Sequence, residues 1–159
     1  MKIRRATIND VDAVRTLFYE TITEINAKDY SPEQIVVWAG GYNNTENWKN
    51  KIIEQNFFVA ENKNEILGFG SITTKGCLDL LYVHKNHQRE GIASALLKRI
   101  GLLAANLEIS EILADVSITA KPFFLKKGFK VREEYIKQHK GVDFKNTIMY
   151  KEIKNFTNA

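Results

Sequence analysis

Six consecutive residues, Gln88-Arg89-Glu90-Gly91-Ile92-Ala93, carry the clearest chemical signal in the chain. They follow an apolar segment that ends at Val83 and open an apolar-periodic run that continues to Leu107. That order predicts a strand, a tight polar turn and a helix N-terminus. The first N–H groups of a helix have no partner inside it and the dipole is positive there, so such a junction holds anions. Gly91 lets the backbone approach a ligand closely, and Ala93 keeps the same surface low. The geometry suits a pyrophosphate. Glycine turns before helices also serve packing alone, so neighbouring segments must carry the rest of the assignment. The mononucleotide loop G-x-x-x-x-G-K-[S/T] and the dinucleotide turn G-x-G-x-x-G are both absent.

Groups able to move a proton lie nearby. Asp79 is the lone acid in the otherwise apolar segment Cys77–Val83, and Tyr82 follows three residues later. An acid in such a strand either serves as a base or pairs with a basic residue on a solvated patch. Tyr135 and His139 are weaker candidates, the latter at a predicted hairpin tip. His84, His87 and His139 lack metal-ligand spacing, so no metal is expected. Cys77 is the only cysteine, which rules out an intrachain disulfide and a cysteine metal cluster. It reads as a small buried hydrophobe.

The elements that must position these residues follow from periodicity. Lys2–Ala6 alternates weakly as a strand. Thr7 with Asp10 three residues on makes a capping-box pattern, and Val11, Val14, Leu17, Phe18, Thr21 and Ile25 then recur at helical spacing. Ser31-Pro32-Glu33 opens a short helix that Gly40-Gly41 ends, with one or two helical turns around Trp48, Ile52 and Ile53. Phe57–Ala60 and Ile66–Thr73 read as a hairpin, and Cys77–Val83 as a third strand. A strong helix follows, with Ile92, Leu96, Ile100, Leu103 and Leu107 as its core stripe. Glu111–Val116 is a strand and Ala120–Lys127 a short helix stopped by Gly128. Phe129–Gln138 and Asp143–Ile153 close the chain as a hairpin. The result is one mixed α/β domain over residues 1–159, not a doubly wound sheet.

Bulk properties narrow the classes. The 159 residues are 44% hydrophobic and 26% charged, an ordinary globular mixture able to bury a core. No apolar run is long enough to cross a bilayer, and the polar start is unlike a secretory signal, so the cytoplasm is the expected location. The net charge is +4, and residues 121–145 hold eight Lys or Arg against three acids. That run reads as a solvated face or a field favouring an anionic ligand. Nucleic acid is not the expected partner, because regularly interleaved aromatics are missing.

Gln88, Gly91 and Ala93 fit the pattern Q/R-x-x-G-x-G/A residue by residue. Upstream, Leu81-Tyr82-Val83-His84 is similar to an L-x-V-x-P strand end, with Lys85 where proline is common. Downstream, Ser117, Ala120, Phe123, Phe124, Gly128 and Phe129 fall on the pattern N-x-x-A-x-x-F-Y-x-x-x-G-F. With the element order, these segments resemble the GNAT N-acetyltransferase superfamily over nearly the whole chain.

The resemblance implies a mixed, mostly antiparallel sheet flanked by helices, with splayed central strands Cys77–Val83 and Glu111–Val116. It implies transfer of an acetyl group from acetyl-CoA to a primary amine by direct attack in a ternary complex. The acceptor would be a small-molecule amine or a peptide or protein amine, and a homodimer is compatible. Cofactor contacts carry over to Leu81, Tyr82, Val83, the segment Gln88, Arg89, Glu90, Gly91, Ile92, Ala93 and Ser94, and to Ser117 and Phe124. The catalytic candidates are Asp79 as a desolvated base, with Tyr82 and Tyr135. Tyr19, Glu20, Glu24, Tyr30, Trp38 and Tyr42 offer acids and aromatics for the acceptor. Two departures stand out: Ser117 replaces the usual Asn, and Phe124 replaces the tyrosine that often protonates the leaving thiolate. Phe124 also favours the alternative of an acyl-CoA-binding sensor that transfers nothing.

Overall fold

The structure is a computed structural model that describes residues 1–154. Strand β1 (Lys2–Arg5) leads through a short 3-10 turn into helix α1 (Val11–Glu24), then α2 (Pro32–Ala39) and α3 (Thr45–Glu54). Strands β2 (Asn56–Asn62), β3 (Glu65–Ile72) and β4 (Cys77–Val83) follow. Helix α4 (Ile92–Asn106), strand β5 (Glu111–Val116), helix α5 (Lys121–Lys126) and strands β6 (Lys130–His139) and β7 (Val142–Glu152) complete the order. One sheet runs β1-β2-β3-β4-β5-β7-β6. Every neighbouring pair is antiparallel except β4 and β5. The expected mixed, mostly antiparallel sheet is what forms.

Local signals explain most of the elements. Ser31 Oγ accepts the Gln34 N–H and the Gln34 side chain accepts the Ser31 N–H, a complete capping box ahead of Pro32. Asn44 caps α3 by accepting the Asn47 N–H at 3.1 Å. That cap carries the expected one or two turns to ten residues. Trp48 locks the helix down, its ring edge-on to Phe18 and its indole N–H on Gly41 O at 3.0 Å.

Helices cover both faces of the sheet. On one side α1 and α3 pack Val14, Phe18, Ile22, Trp48 and Ile52 against Phe57, Val59 and Phe69. On the other, α4 packs Leu96, Ile100 and Ala104 against Phe58, Ile72 and Ile112. Each such buried side chain contributes about 1.5–3 kcal/mol. The stripe on α4 differs from the expected one. Leu107 is 46% exposed and the buried row turns through Leu97, Gly101 and Ala104. An i+4 step overshoots the 3.6-residue turn, so the row Leu96, Ile100, Ala104 winds slowly around the helix and away from Leu107. Gly68 on β3 sits under α4, where an added Cβ would come within 2.8 Å of Ile92 Cγ2 and 2.9 Å of Tyr82 O. Among the described residues, no helix is long and apolar enough to cross a membrane.

Arg4 ties the N-terminal strand to the start of α1. Its guanidinium grips Asp10 at both oxygens (2.8 and 2.9 Å) and reaches Glu61 on β2 at 2.9 Å. Asp10 also accepts the Thr7 N–H at 2.7 Å, the acidic half of the expected capping box. The Arg4 guanidinium holds the Asp10 carboxyl below the usual carboxylate range. The folded state therefore gives up this proton more readily than the unfolded chain. Stability from the pair is present above about pH 4 and is lost as the pH falls through the lower folded value. Asp10→Asn should cost about 2 kcal/mol at pH 7, the scale of a charge-assisted hydrogen bond. The gap to wild type in thermal melts should shrink in acid. A gap unchanged down to full carboxyl protonation would contradict this.

Candidate functional site

The two parallel strands share only two residue pairs, Cys77 with Leu113 and Leu78 with Ala114. Beyond them β4 and β5 part, as expected, and the edge of β4 facing β5 loses its strand partner. Part of the cause is local. The β3–β4 register shifts between Ser71 and Ile72, leaving Asp79 as an extra residue in β4. Leu78 then joins the α4 side while Leu80 and Tyr82 face α1. The opening is a cleft of about 1430 Å³ running from the acceptor-side helices to the N-terminus of α4.

The Gln88–Ser94 segment forms the far end of that cleft. Gly91 caps α4 in the left-handed conformation (φ +83°), and Arg89 before it is also left-handed (φ +61°). A Cβ on Gly91 would meet nothing within 4 Å, so the space above the turn is open. The N–H groups of Ile92, Ala93 and Ser94 find no acceptor among the described residues. An open surface over free helix N–H groups fits a pyrophosphate. Leu81, Tyr82, Val83, Gln88, Arg89, Gly91, Ile92, Ala93, Ser94, Ser117 and Phe124 all line the cleft. Glu90 does not; its carboxylate turns to His87 Nδ1 at 3.2 Å. Gln88 anchors the loop, its amide donating to Val83 O (2.8 Å) and His84 O (3.2 Å). Ser117 Oγ accepts the Ala120 N–H at 3.1 Å and so turns the chain into α5.

Sequence spacing did not foresee that His84, His87 and Glu65 come together, with one donor atom of each within 4.8 Å of the others. His84 Nδ1 accepts the Asn86 N–H at 3.0 Å, which leaves its proton on Nε2, facing Glu65 at 3.1 Å. Neither ring nitrogen of His84 then keeps a free lone pair for a metal. Glu90, with Glu65 beyond it, raises the His87 imidazole above its ordinary value. The trio clamps the loop to the start of β3.

The catalytic candidates separate. Asp79 lines the cleft, but its carboxylate contacts the Lys51 ammonium and accepts the Gln55 amide at 2.9 Å. Ser71 completes the chain by donating to Gln55 at 2.7 Å. Of the two readings open for Asp79, the packing shows the ion pair, because α3 brings a lysine from 28 positions away onto the cleft wall. Tyr82 stacks on Phe69 (5.5 Å) and meets Phe18 edge-on (5.2 Å), and burial pushes its phenol far above the ordinary value. Tyr135 is not brought to the cleft wall. It lies on the edge strand β6 and donates to Asp115, whose other oxygen accepts from Asn146 at 2.8 Å. Burial and the Asp115 carboxylate push the Tyr135 phenol up to about 12. His139 does line the cleft, and so does Cys77, which is exposed and not the buried hydrophobe expected.

The acceptor side is aromatic and basic. Trp38 packs edge-on to Tyr30 (5.1 Å) and Phe144 (6.4 Å), all three facing the cleft with Lys137 and Lys140. Glu20 and Glu24 instead pair with Lys85, and Tyr19 packs on Tyr42 outside the lining. The basic 121–145 run is likewise divided: Lys121 pairs with Glu134 and Arg132 with Glu111. Asn26 is a cleft residue that sequence reasoning missed. It is only 7% exposed, and its side chain has no hydrogen-bond partner among the described residues. An isolated Asn after a helix carries no signal that could have found it.

Comparison with known proteins follows the same lines. A family model described as an acetyltransferase (GNAT) domain matches residues 26–151. The chain is 33% identical over 149 residues to the uncharacterized N-acetyltransferase YafP of Escherichia coli (strain K12), covering 94% of each. A GCN5-related N-acetyltransferase structure from Rhodopseudomonas palustris superposes with a TM-score of 0.91 at 24% identity, covering 95% of this chain and 94% of that one. The PaiA N-acetyltransferase of Thermoplasma acidophilum, solved in complex with coenzyme A, gives 0.80 at 24% identity, covering 95% and 98%.

Proposed function

The chain belongs to the GNAT acetyltransferase family, and on that premise we propose that it moves an acetyl group from acetyl-CoA to a primary amine by direct attack. The observation that carries this reading is the cleft between β4 and β5, which ends on the free N–H groups of α4. Those groups and Arg89 would hold the pyrophosphate, and the unpaired edge of β4 near Leu81 and Val83 would receive the pantetheine. That the PaiA N-acetyltransferase, which shares the fold, is solved in complex with coenzyme A supports coenzyme A as the ligand.

The reaction needs few groups. The amine nitrogen attacks the thioester carbonyl carbon, and a free N–H on the edge of β4 stabilises the oxyanion. Asp79, at the point where the strands part, takes the proton that the amine sheds. The C–S bond then breaks and the thiolate leaves. Trp38, Tyr30 and Phe144 form the acceptor wall, so amines with an apolar or aromatic body fit best.

Two measurements test the reading together. A ligand that binds only the folded state stabilises it by mass action, about 2.7 kcal/mol at a hundredfold excess over Kd. For a domain of this size that is a rise in melting temperature of roughly 5–10 °C. Acetyl-CoA should produce it, and a panel of aromatic amines, amino acids and polyamines should show release of CoA thiol with at least one member. A shift without thiol release would favour the sensor reading that Phe124 suggests. No shift at millimolar CoA would end both.

A further inference from the structure

We infer that Tyr30 supplies the proton to the departing thiolate, the role that Phe124 cannot perform. The inference rests on the acetyl-transfer reading above. Phe124 lies in the buried cluster of α5, its ring against Phe123 and Phe129, and carries no exchangeable proton. Tyr30 reaches the same loop from the other side of the cleft. Its hydroxyl oxygen accepts the Ile118 N–H at 2.8 Å, one residue beyond the Ser117 turn that leads into α5. Ser117, the next residue back, is held by its own bond to the Ala120 N–H.

A phenol oxygen has two acceptor sites and one proton. One acceptor site is taken by the Ile118 N–H, and no acceptor for the phenolic proton is found among the described residues. Tyr30 lines the cleft, so the free direction opens into it. Trp38 and Phe144 hold the ring in place from behind. Tyr82 and Tyr135, the other phenols near the sheet's opening, do not offer this. Tyr135 spends its proton on Asp115, and Tyr82, which also lines the cleft, makes no hydrogen bond to the Ile118 turn among the described residues.

The proton balance closes. As the C–S bond breaks, its electron pair goes to sulfur, and sulfur takes the Tyr30 proton to leave as free thiol. The O–H pair stays on the phenol oxygen, where the Ile118 N–H stabilises the phenolate. The proton lost by the attacking amine passes to Asp79 and from there to solvent, and one from solvent restores Tyr30. Burial pushes the Tyr30 phenol above its ordinary value, so it is protonated and ready at neutral pH.

Tyr30→Phe keeps the ring and removes the proton. With acetyl-CoA and the fastest amine of the panel, kcat should fall about a hundredfold, the scale of one lost acid. The melting-temperature rise with CoA should stay as in wild type. Adding Phe124→Tyr restores a phenol on the opposite side of the same loop, and the double variant should recover about tenfold of the loss. A purely structural Tyr30 would not be rescued there. Tyr30→Phe turnover within threefold of wild type overturns the assignment, and so does a folded double variant that recovers nothing. Wild-type protein without thiol release would instead refute the acetyl-transfer reading itself.

Discussion

Gly91→Glu should abolish the CoA-induced rise in melting temperature while leaving a folded protein. The two halves of that result have separate causes. A Cβ at this position meets nothing within 4 Å, so no packing is disturbed. The cost to the fold is the left-handed conformation (φ +83°), about 1–2 kcal/mol for a residue with a Cβ. A carboxylate at the N-terminus of α4 returns part of it through the helix dipole. The same carboxylate would occupy the open surface proposed for the pyrophosphate and repel it. A loss of at least a hundredfold in CoA affinity, about 2.7 kcal/mol, is expected. Titrated melts of wild type, Gly91→Ala and Gly91→Glu check it. Alanine should pay the strain and retain much of the shift. An undiminished shift in the glutamate variant would move the pyrophosphate site away from α4.

Asp79→Asn is expected to lower kcat/KM by roughly a hundredfold at neutral pH, the usual scale for lost acid–base help. CoA affinity should hardly change, because the pyrophosphate end of the cleft is untouched. Raising the pH should return part of the rate as free amine accumulates. The ion pair with Lys51 complicates a bare reading of the variant, since asparagine also frees the lysine. Lys51→Met separates the two effects. It removes the cation and leaves the carboxylate, so its turnover should stay far above that of Asp79→Asn. Near-normal turnover in Asp79→Asn, with an unchanged pH profile, would hand the proton to water and leave the Ser71–Gln55–Asp79–Lys51 chain as a brace for the β4 bulge.

Turn chemistry and periodicity were readable from the residues because each acts over a few positions. Gly91, the Ser31 cap, the hairpins and the long α4 all followed from spacing of the order of one helical turn or one strand. The parting of β4 from β5 was readable only through the family resemblance, and the strand order not at all, since pairing between Cys77 and Leu113 leaves no local mark. The left-handed glycine and free N–H groups at the start of α4 were legible for the same reason as α4, because they belong to one short segment.

The sequence by itself determined that acidic and basic residues would stand near the cleft; it could not say which pair with which. Lys51 reaches Asp79 across 28 positions, Asp115 claims the Tyr135 proton across 20, and Lys85 takes Glu20 and Glu24 away from the acceptor side. Tyr30, noted in the chain only as one aromatic among several, acquires a role because Ile118 lies 88 residues away and 2.8 Å distant. Whether a polar group is spent or free depends on the partner within about 3 Å, and that partner is chosen by how helices and strands pack. Local sequence sets which groups exist and which segments are regular. The tertiary structure decides which protons remain available for chemistry, because a hydrogen bond saturates its donor and its acceptor and leaves the rest of the site to what is left over.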